Sequence, residues 1–190
     1  MKTAIILGRG IEGCGVTKNV AEFQRLYGDN IRVFATADKI WPRHNSMEFE
    51  YELFKASSWS EKKKSRKFGE LLSCTDVLTK INDCGRCIIF SVPSKSHPVE
   101  CQDNFVKLVQ NITVRKSVVQ VDHNIQSINR NARLKDILSS VDIIMTHSTL
   151  NPFAMWCWKQ GINVTVTDMG VGYNFEQNKF QYWRPIEEQH

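Results

Sequence analysis

Short apolar runs rich in isoleucine and valine recur along this chain, with stretches of helical character between them. A continuous apolar run without strict alternation is typical of a strand buried on both faces, as in a parallel sheet covered by helices. The predicted strands cover residues 4–7, 31–34, 87–92, 118–121, 142–145 and 164–166. The predicted helices cover residues 16–26, 68–82, 99–110, 132–139 and 152–159. This alternation predicts a Rossmann-like, doubly wound α/β fold with a mostly parallel sheet.

The length and composition indicate a folded protein with one main domain. A chain of 190 residues with 42% hydrophobic and 24% charged residues can bury a proper core. We expect the main domain at residues 1–172, a linker-like segment at 173–190, and a surface insertion at 38–67, where the strand-and-helix pattern is interrupted. No apolar run has the length of a membrane span or of a signal peptide, so we expect a cytosolic protein without a membrane partner.

Small, polar and ionisable residues follow the predicted strands at the points where the strands end. They are the glycine loop after the first strand, Ser91, Asp122, His123, His147 and Ser148. Open α/β sheets form their binding crevice at the carboxyl ends of their strands. The sequence therefore predicts a functional site at this edge of the sheet.

The glycine loop GRGIEGCGVTK, from Gly8 to Lys18, contains four of the ten glycines of the chain. Its first three glycines match the dinucleotide fingerprint, and Asp38 follows the second strand, so a nicotinamide or flavin enzyme is one interpretation. The pattern continues to Gly15, however, which delays the helix and favours a loop whose backbone amides bind a phosphate. A tight turn with a purely structural role is the third interpretation.

The formal net charge of +5 and the isoelectric point near 8.9 permit a polyanionic partner. Basic residues cluster at Lys62, Lys63, Lys64, Arg66 and Lys67, and again at Arg130, Arg133 and Lys135. Such clusters are either solvated surfaces or phosphate contacts.

Six cysteines in a chain without a secretory signal indicate reduced thiols. Cys84, Cys87, His97 and Cys101 have a spacing compatible with zinc. Because Cys87 opens a predicted strand that carries the later residues away from the first pair, we predict no metal site.

Several segments resemble one enzyme family in the same order along the chain. The string RGIEGCGVTKNVAEFQR resembles the N-terminal glycine loop and first helix of the DNA α-glucosyltransferases of T-even bacteriophages, which have the GT-B fold of two Rossmann-like domains. NDCGRCIIFSVPS, VVQVDHNIQSINRN and IIMTHS resemble strand ends of that family, and GYNFEQNKFQYWR resembles its linker towards the second domain. The matches cover nearly all of this chain but about half of a complete family member.

The resemblance implies transfer of glucose from UDP-glucose to hydroxymethylcytosine in double-stranded DNA, within an infected bacterial cell. It implies an acceptor-side domain whose glycine loop reaches the donor diphosphate, a UDP-sugar as donor substrate, and no permanently bound cofactor. The implied donor-phosphate residues are Gly13, Cys14, Gly15, Val16 and Lys18. The implied catalytic residues are Asp122 and His123, with Ser91, His147 and Ser148 elsewhere in the cleft. The implied DNA contacts are the basic residues 62–67 together with Arg130 and Arg133.

Other interpretations of the same residues stay open at this stage. Asp122 is also a residue type that caps turns, and single histidines are commonly packed in the core. The family has a histidine before its aspartate where Val121 stands in this chain. No donor-binding half follows residue 190, so we expect a second subunit that carries it, a non-catalytic DNA- or protein-binding module, or a shortened chain.

Overall fold

The computed structural model describes residues 1–11, 15–39, 49–59, 70–120, 133–146, 152–166, 172–174 and 179–182. Among these residues, seven parallel strands form the main sheet: β1 (Thr3–Leu7), β2 (Ile31–Thr36), β3 (Glu52–Phe54), β4 (Arg86–Ser91), β5 (Arg115–Gln120), β6 (Ile143–Thr146) and β7 (Thr165–Val166). The described helices are α1 (Gly15–Tyr27), α2 (Cys74–Asn82), α3 (Val99–Asn111), α4 (Leu134–Leu138) and α5 (Pro152–Lys159), and a 3-10 turn (Gly28–Asn30) precedes β2. Strands β8 (Gly172–Asn174) and β9 (Lys179–Tyr182) form a separate antiparallel pair.

The strand order is β3-β2-β1-β4-β5-β6-β7. One half of the sheet is formed by β1–β3 and the other by β4–β7, and their first strands, β1 and β4, are neighbours. The chain builds outward from β1 to β3, then crosses back so that β4 lies against the other side of β1. Ile5 in β1 thus has Val33 and Ile88 as its neighbours in the sheet. The strand order reverses between β1 and β4, and a doubly wound sheet opens its crevice at that point, beyond the carboxyl ends of the strands. We call this side of the sheet the carboxyl edge and the opposite side the amino edge.

Both faces of the sheet are covered, as the continuous apolar runs predict. All five residues of β1 are buried. Ala4 and Ile6 join a core with side chains of α2, α3, α4 and α5, whereas Ile5 and Leu7 join a second core with α1. Successive side chains of a strand point to opposite faces, so one apolar run supplies both cores. The predicted doubly wound α/β fold is confirmed.

The six predicted strands are confirmed as β1, β2, β4, β5, β6 and β7, and the predicted helices appear with shifted ends. The largest shift is in α2, which begins at Cys74 rather than at residue 68. The Leu72 backbone pairs with the backbone of Leu53 and Lys55, and Ser73 then starts the helix by accepting from the Asp76 amide while Asp76 accepts from the Ser73 amide. This reciprocal cap satisfies two backbone donors at the point where the helix begins.

The structure differs from the sequence prediction at two places. Residues 52–54, expected on a surface insertion at 38–67, form edge strand β3, and Phe54 is fully buried against the core. The strand was missed because it is only three residues long and polar residues surround it. The C-terminal segment, expected to be linker-like, contains the β8–β9 pair. The proposed division at residue 172 remains a prediction. No helix in the described part of the chain is long and apolar enough to cross a membrane.

Candidate functional site

The first two glycines of the loop are required by close packing at the reversal point. A Cβ atom on Gly8 would lie 2.5 Å from the Ser91 carbonyl oxygen and 2.8 Å from the Phe105 ring. Gly10 has φ +77°, and a Cβ there would lie 2.3 Å from the Lys39 carbonyl oxygen and 2.7 Å from that of Thr36. These glycines allow the loops after β1, β2 and β4 to touch, so the structural interpretation of the loop holds for its first half.

The backbone amides of this first half already have partners within the protein. The Gly8 amide donates to the Ser91 carbonyl oxygen at 2.8 Å, the Arg9 amide donates to Ser91 Oγ at 3.2 Å, and the Gly10 amide donates to Leu7 at 3.0 Å. Ser91, predicted to lie in the cleft, therefore fastens the loop after β1 to the end of β4. An anion bound by this loop must use amides further along the chain.

The second half of the loop leads into α1, which begins at Gly15. The first four amides of a helix have no partner within the helix and carry partial positive charge, so the Gly15 and Val16 amides are suited to an anion. Lys18 lies in this helix, one turn from its start. Gly13 and Cys14 lie outside the described residues, and the donor-phosphate role of all five residues remains a prediction.

Two basic side chains extend across the reversal point, from the half of the sheet formed by β1–β3 to the half formed by β4–β7. Arg9 Nε donates to the Val92 carbonyl oxygen at 3.2 Å, and Lys39 Nζ donates to Ser96 Oγ at 2.7 Å. The sequence analysis missed both, because each is a single basic residue outside any cluster. Both lie in loops that follow parallel strands: Arg9 is two residues after β1, and Lys39 is three residues after β2.

Asp38, the residue before Lys39, is buried, with 1% of its surface exposed. Its Oδ2 atom accepts from the Thr36 hydroxyl at 2.7 Å and from the Ala56 amide at 2.9 Å, and its Oδ1 atom accepts from the Ser57 hydroxyl. The carboxylate therefore joins the ends of β2 and β3. This use of both oxygens leaves the nicotinamide interpretation without the ribose contact that it needs from Asp38.

A chain of hydrogen bonds connects Lys39 to the buried imidazole of His97. The Ser94 amide donates to His97 Nδ1 at 3.1 Å, so Nδ1 carries no proton and the Ser94 hydroxyl, 2.9 Å away, must donate to it as well. Ser96 Oγ lies 2.7 Å from Ser94 Oγ and must donate in turn. The order is therefore Lys39 to Ser96 to Ser94 to His97. The proton of the imidazole lies on Nε2, which has no acceptor among the described residues.

We expect His97 to make stability depend on pH. Burial, reinforced by the positive charge of Lys39, lowers the pKa of this imidazole to about 4. The unfolded chain, with an ordinary histidine pKa of about 6.5, takes up the proton first, so stability is retained above about pH 6.5 and falls as the pH falls towards 4. The expected loss between pH 8 and pH 5 is about 2 kcal/mol.

Urea unfolding measured at several pH values between 5 and 8 tests this expectation. His97→Asn is the matched variant, because an amide oxygen can accept from Ser94 without titrating. The difference in unfolding free energy between the two proteins should shrink by about 2 kcal/mol from pH 8 to pH 5. A difference that stays constant would show that the imidazole is already protonated or exposed in the folded state.

Arg133, predicted to contact DNA, immediately precedes α4 and has the left-handed φ of 52°. Its Nε atom donates to Asp103 of α3 at 3.0 Å, and both side chains are about half exposed. An exposed pair of this kind contributes little to stability, so the guanidinium is accessible to other anions. Its contact with DNA remains a prediction.

Most of the other predicted site residues lie outside the described part of the chain, and their roles remain predictions. They are Asp122, His123, His147, Ser148, Lys62, Lys63, Lys64, Arg66, Lys67 and Arg130. The ends of the described strands still locate four of them along the chain. Asp122 and His123 follow β5, which ends at Gln120, and His147 and Ser148 follow β6, which ends at Thr146.

The five described cysteines, Cys74, Cys84, Cys87, Cys101 and Cys157, are free thiols. Burial raises the pKa of Cys87 and of Cys101, and it raises the pKa of Cys74 to about 11. These thiols are therefore protonated at neutral pH and are poor nucleophiles or metal ligands. Within the described ranges, no group of three or more cysteine, histidine or acidic side chains is placed to hold a metal ion.

A large cavity lies at the amino edge, away from the reversal point. Its volume is about 1020 Å³, and its lining includes Lys2, Asp29, Arg32 and Tyr51. A smaller cavity of about 260 Å³ lies beyond the carboxyl end of β3 and is lined in part by Lys55, Ser57 and Cys74. Size alone therefore points to the amino edge, whereas the strand order and the clustered cations point to the carboxyl edge.

Comparison with known proteins shows the family of this chain. The model of the family described as DNA alpha-glucosyltransferase matches residues 14–176. This chain belongs to the DNA alpha-glucosyltransferase family. It is 27% identical to the DNA alpha-glucosyltransferase of Enterobacteria phage T4 over 208 aligned residues, covering 99% of this chain and 48% of the T4 protein.

Solved alpha-glucosyltransferase structures have the same fold. One in complex with UDP is 27% identical with a TM-score of 0.67 and is matched over 87% of this chain and 43% of its own length. Another, in complex with UDP and a 13-mer DNA containing an HMU base, is 28% identical with a TM-score of 0.67, over 87% and 41% of the two chains. The predicted membership of the family is confirmed, and the chain spans about half the length of the relatives that it matches.

Proposed function

We propose that this chain is the acceptor-side domain of a DNA glycosyltransferase. In this proposal a sugar, glucose in the first instance, passes from a UDP-sugar to the hydroxymethyl group of hydroxymethylcytosine in double-stranded DNA. The observation that carries the proposal is the family match over residues 14–176 of a chain whose loops meet at the carboxyl edge. Solved relatives that are 27–28% identical hold UDP together with DNA, which supports both substrates.

The chemistry assigns distinct tasks to the loops of this edge. Asp122, after β5, accepts the proton of the acceptor hydroxyl or orients that group, with His123 beside it in the sequence. The acceptor oxygen bonds to the reacting carbon of the sugar, and the bond from that carbon to the diphosphate breaks. The amides at the start of α1 stabilise the negative charge that develops on the departing UDP. Reaching a base inside a duplex usually requires its extrusion from the stack, and the basic residues hold the DNA backbone during that step.

This chain spans about half the length of the relatives that it matches, and we propose that transfer also uses a donor-binding domain of the family. The reaction would take place in the cytoplasm of the infected bacterial cell. No bound cofactor takes part beyond the UDP-sugar substrate.

A transfer assay tests the proposed function. Duplex DNA containing hydroxymethylcytosine is incubated with UDP-glucose and this chain, alone and mixed with a donor-binding domain of the family, and the nucleosides are analysed by mass spectrometry. We expect glucosylated hydroxymethylcytosine in the mixture and none with unmodified cytosine or with Asp122→Asn. Duplex binding without transfer in any mixture would instead indicate a non-catalytic DNA-binding module.

A further inference from the structure

The loop between β4 and α3 joins a positive charge to two hydroxyl groups at the carboxyl edge. Lys39 extends from the end of β2, across β1, and its ammonium group donates to Ser96 at 2.7 Å. Ser96 is exposed, whereas Ser94 and Lys39 are partly buried. The charge of Lys39 is therefore held at one position beside solvent instead of being spread over many rotamers.

The base of this arrangement is rigid. His97 is 4% exposed and accepts from both the amide and the hydroxyl of Ser94, and Gln102 Nε2 donates to the His97 carbonyl oxygen at 2.8 Å. The positions of the hydroxyl hydrogens follow from the neutral imidazole, so Ser96 accepts from the ammonium group and donates inward. A loop fixed in this way binds without the entropy cost of being ordered first.

Cations and carboxylates both act at this position: Lys39, Arg9 and the start of α3 attract an anion, whereas Asp38 and Glu100, whose oxygens accept hydrogen bonds from the protein, oppose it. The 13-residue helix α3 begins directly after the loop, and its N-cap residue, Pro98, provides no side-chain hydrogen bond to the first turn. The positive end of the helix thus adds to the charges of Lys39 and Arg9. The nearby carboxylate of Glu100 accepts from the amide and hydroxyl of Ser58, at the loop after β3.

We propose that Lys39, held in place by Ser94 and Ser96, binds a phosphate group of the DNA backbone. The proposal rests on the proposed function and names one contact within it. The donor diphosphate is assigned to the separate helix start at α1, which leaves the start of α3 for the acceptor. Strands β2 and β4 are two strand spacings apart, about 10 Å. Because a DNA duplex carries about one charge per 1.7 Å of its axis, a duplex lying along this distance presents several phosphates to it.

The salt dependence of duplex binding tests this contact. For Lys39→Gln, the slope of the logarithm of the association constant against the logarithm of salt concentration should fall by about 1, with affinity weakened about equally on any sequence. Lys107→Gln is the matched control, because Lys107 is exposed near the other end of α3 and carries the same charge. Ser96→Ala should weaken binding about tenfold without changing the net charge. Equal slopes for the two lysine variants would overturn the proposal.

Two further measurements show whether the bound phosphate belongs to DNA or to UDP, and whether a negative result also contradicts the proposed function. UDP titration of the chain mixed with a donor-binding domain of the family should give the same affinity for wild type and Lys39→Gln. Loss of UDP binding with unchanged DNA binding would assign the site to the donor and overturn the proposal. If the wild-type chain binds no duplex, the proposed function and this DNA contact both fail. Amide shifts of Ser94 and Ser96 with inorganic phosphate, abolished by Lys39→Gln, would then show that an anion site exists without DNA as its ligand.

Discussion

Replacing Gly10 with alanine should lower the free energy of unfolding by about 3–5 kcal/mol. The left-handed backbone at φ +77° costs an L-residue about 1–2 kcal/mol by itself. The added methyl group would also lie 2.3 Å and 2.7 Å from two carbonyl oxygens, those of Lys39 and Thr36, which are backbone atoms of β2 and its loop. Backbone atoms cannot turn away as a flexible side chain can, so the loops after β1 and β2 must separate.

Gly28→Ala is the matched control for Gly10→Ala. Gly28 also has a left-handed backbone, with φ +53°, but a Cβ atom there would have nothing within 4 Å. It should therefore cost only the conformational term of about 1–2 kcal/mol. Urea unfolding of the two variants measures the difference directly. Equal losses would mean that the loops at the reversal point are not in close contact.

Replacing Asp38 with alanine should cost about 3–5 kcal/mol, because three donors lose their acceptor at once. The Ala56 amide is buried with the carboxylate, and the hydroxyls of Thr36 and Ser57 lose their partner too. Since Ala56 lies in the loop directly after β3, this edge strand should loosen first. Hydrogen exchange should show the fastest increase at residues 52–57.

Ser57→Ala removes one of the three donors and leaves the carboxylate in place, so about 1 kcal/mol is expected. A loss for Asp38→Ala no larger than the loss for Ser57→Ala would contradict the structural role of this carboxylate. The same response to NADH from wild type and both variants in a fluorescence titration would further separate Asp38 from a ribose contact.

The sheet could be predicted from the sequence because strands buried on both faces consist of continuous apolar runs. Every residue of β1 must be apolar or small to lie between two layers of helices, and the run from Ala4 to Leu7 shows this without reference to any other part of the chain. Strand β3 has no continuous apolar run. Its three residues lie at the edge of the sheet, where their backbone pairs with β2.

The sequence predicts the candidate site at the carboxyl edge, and the structure adds contacts there that the sequence did not indicate. The carboxyl edge follows from the strand pattern, and the glycine loop marks the reversal point. Gly8 and Gly10 are required by packing against Ser91 and Lys39, which are distant in the sequence. The sequence alone therefore could not distinguish these two glycines from Gly13 and Gly15. Lys39 was missed for the same reason, because its partner Ser96 is 57 residues away.

The central claim is that DNA binds at the carboxyl edge around the reversal point. The most direct measurement is the set of backbone amide chemical-shift changes when the ¹⁵N-labelled chain is titrated with a duplex containing hydroxymethylcytosine. We predict changes at Arg9, Lys39, Ser94 and Ser96 and none at Asp29 and Tyr51, which line the cavity of the amino edge. Changes clustered at Asp29 and Tyr51, with the amides of the carboxyl edge unmoved, would contradict it.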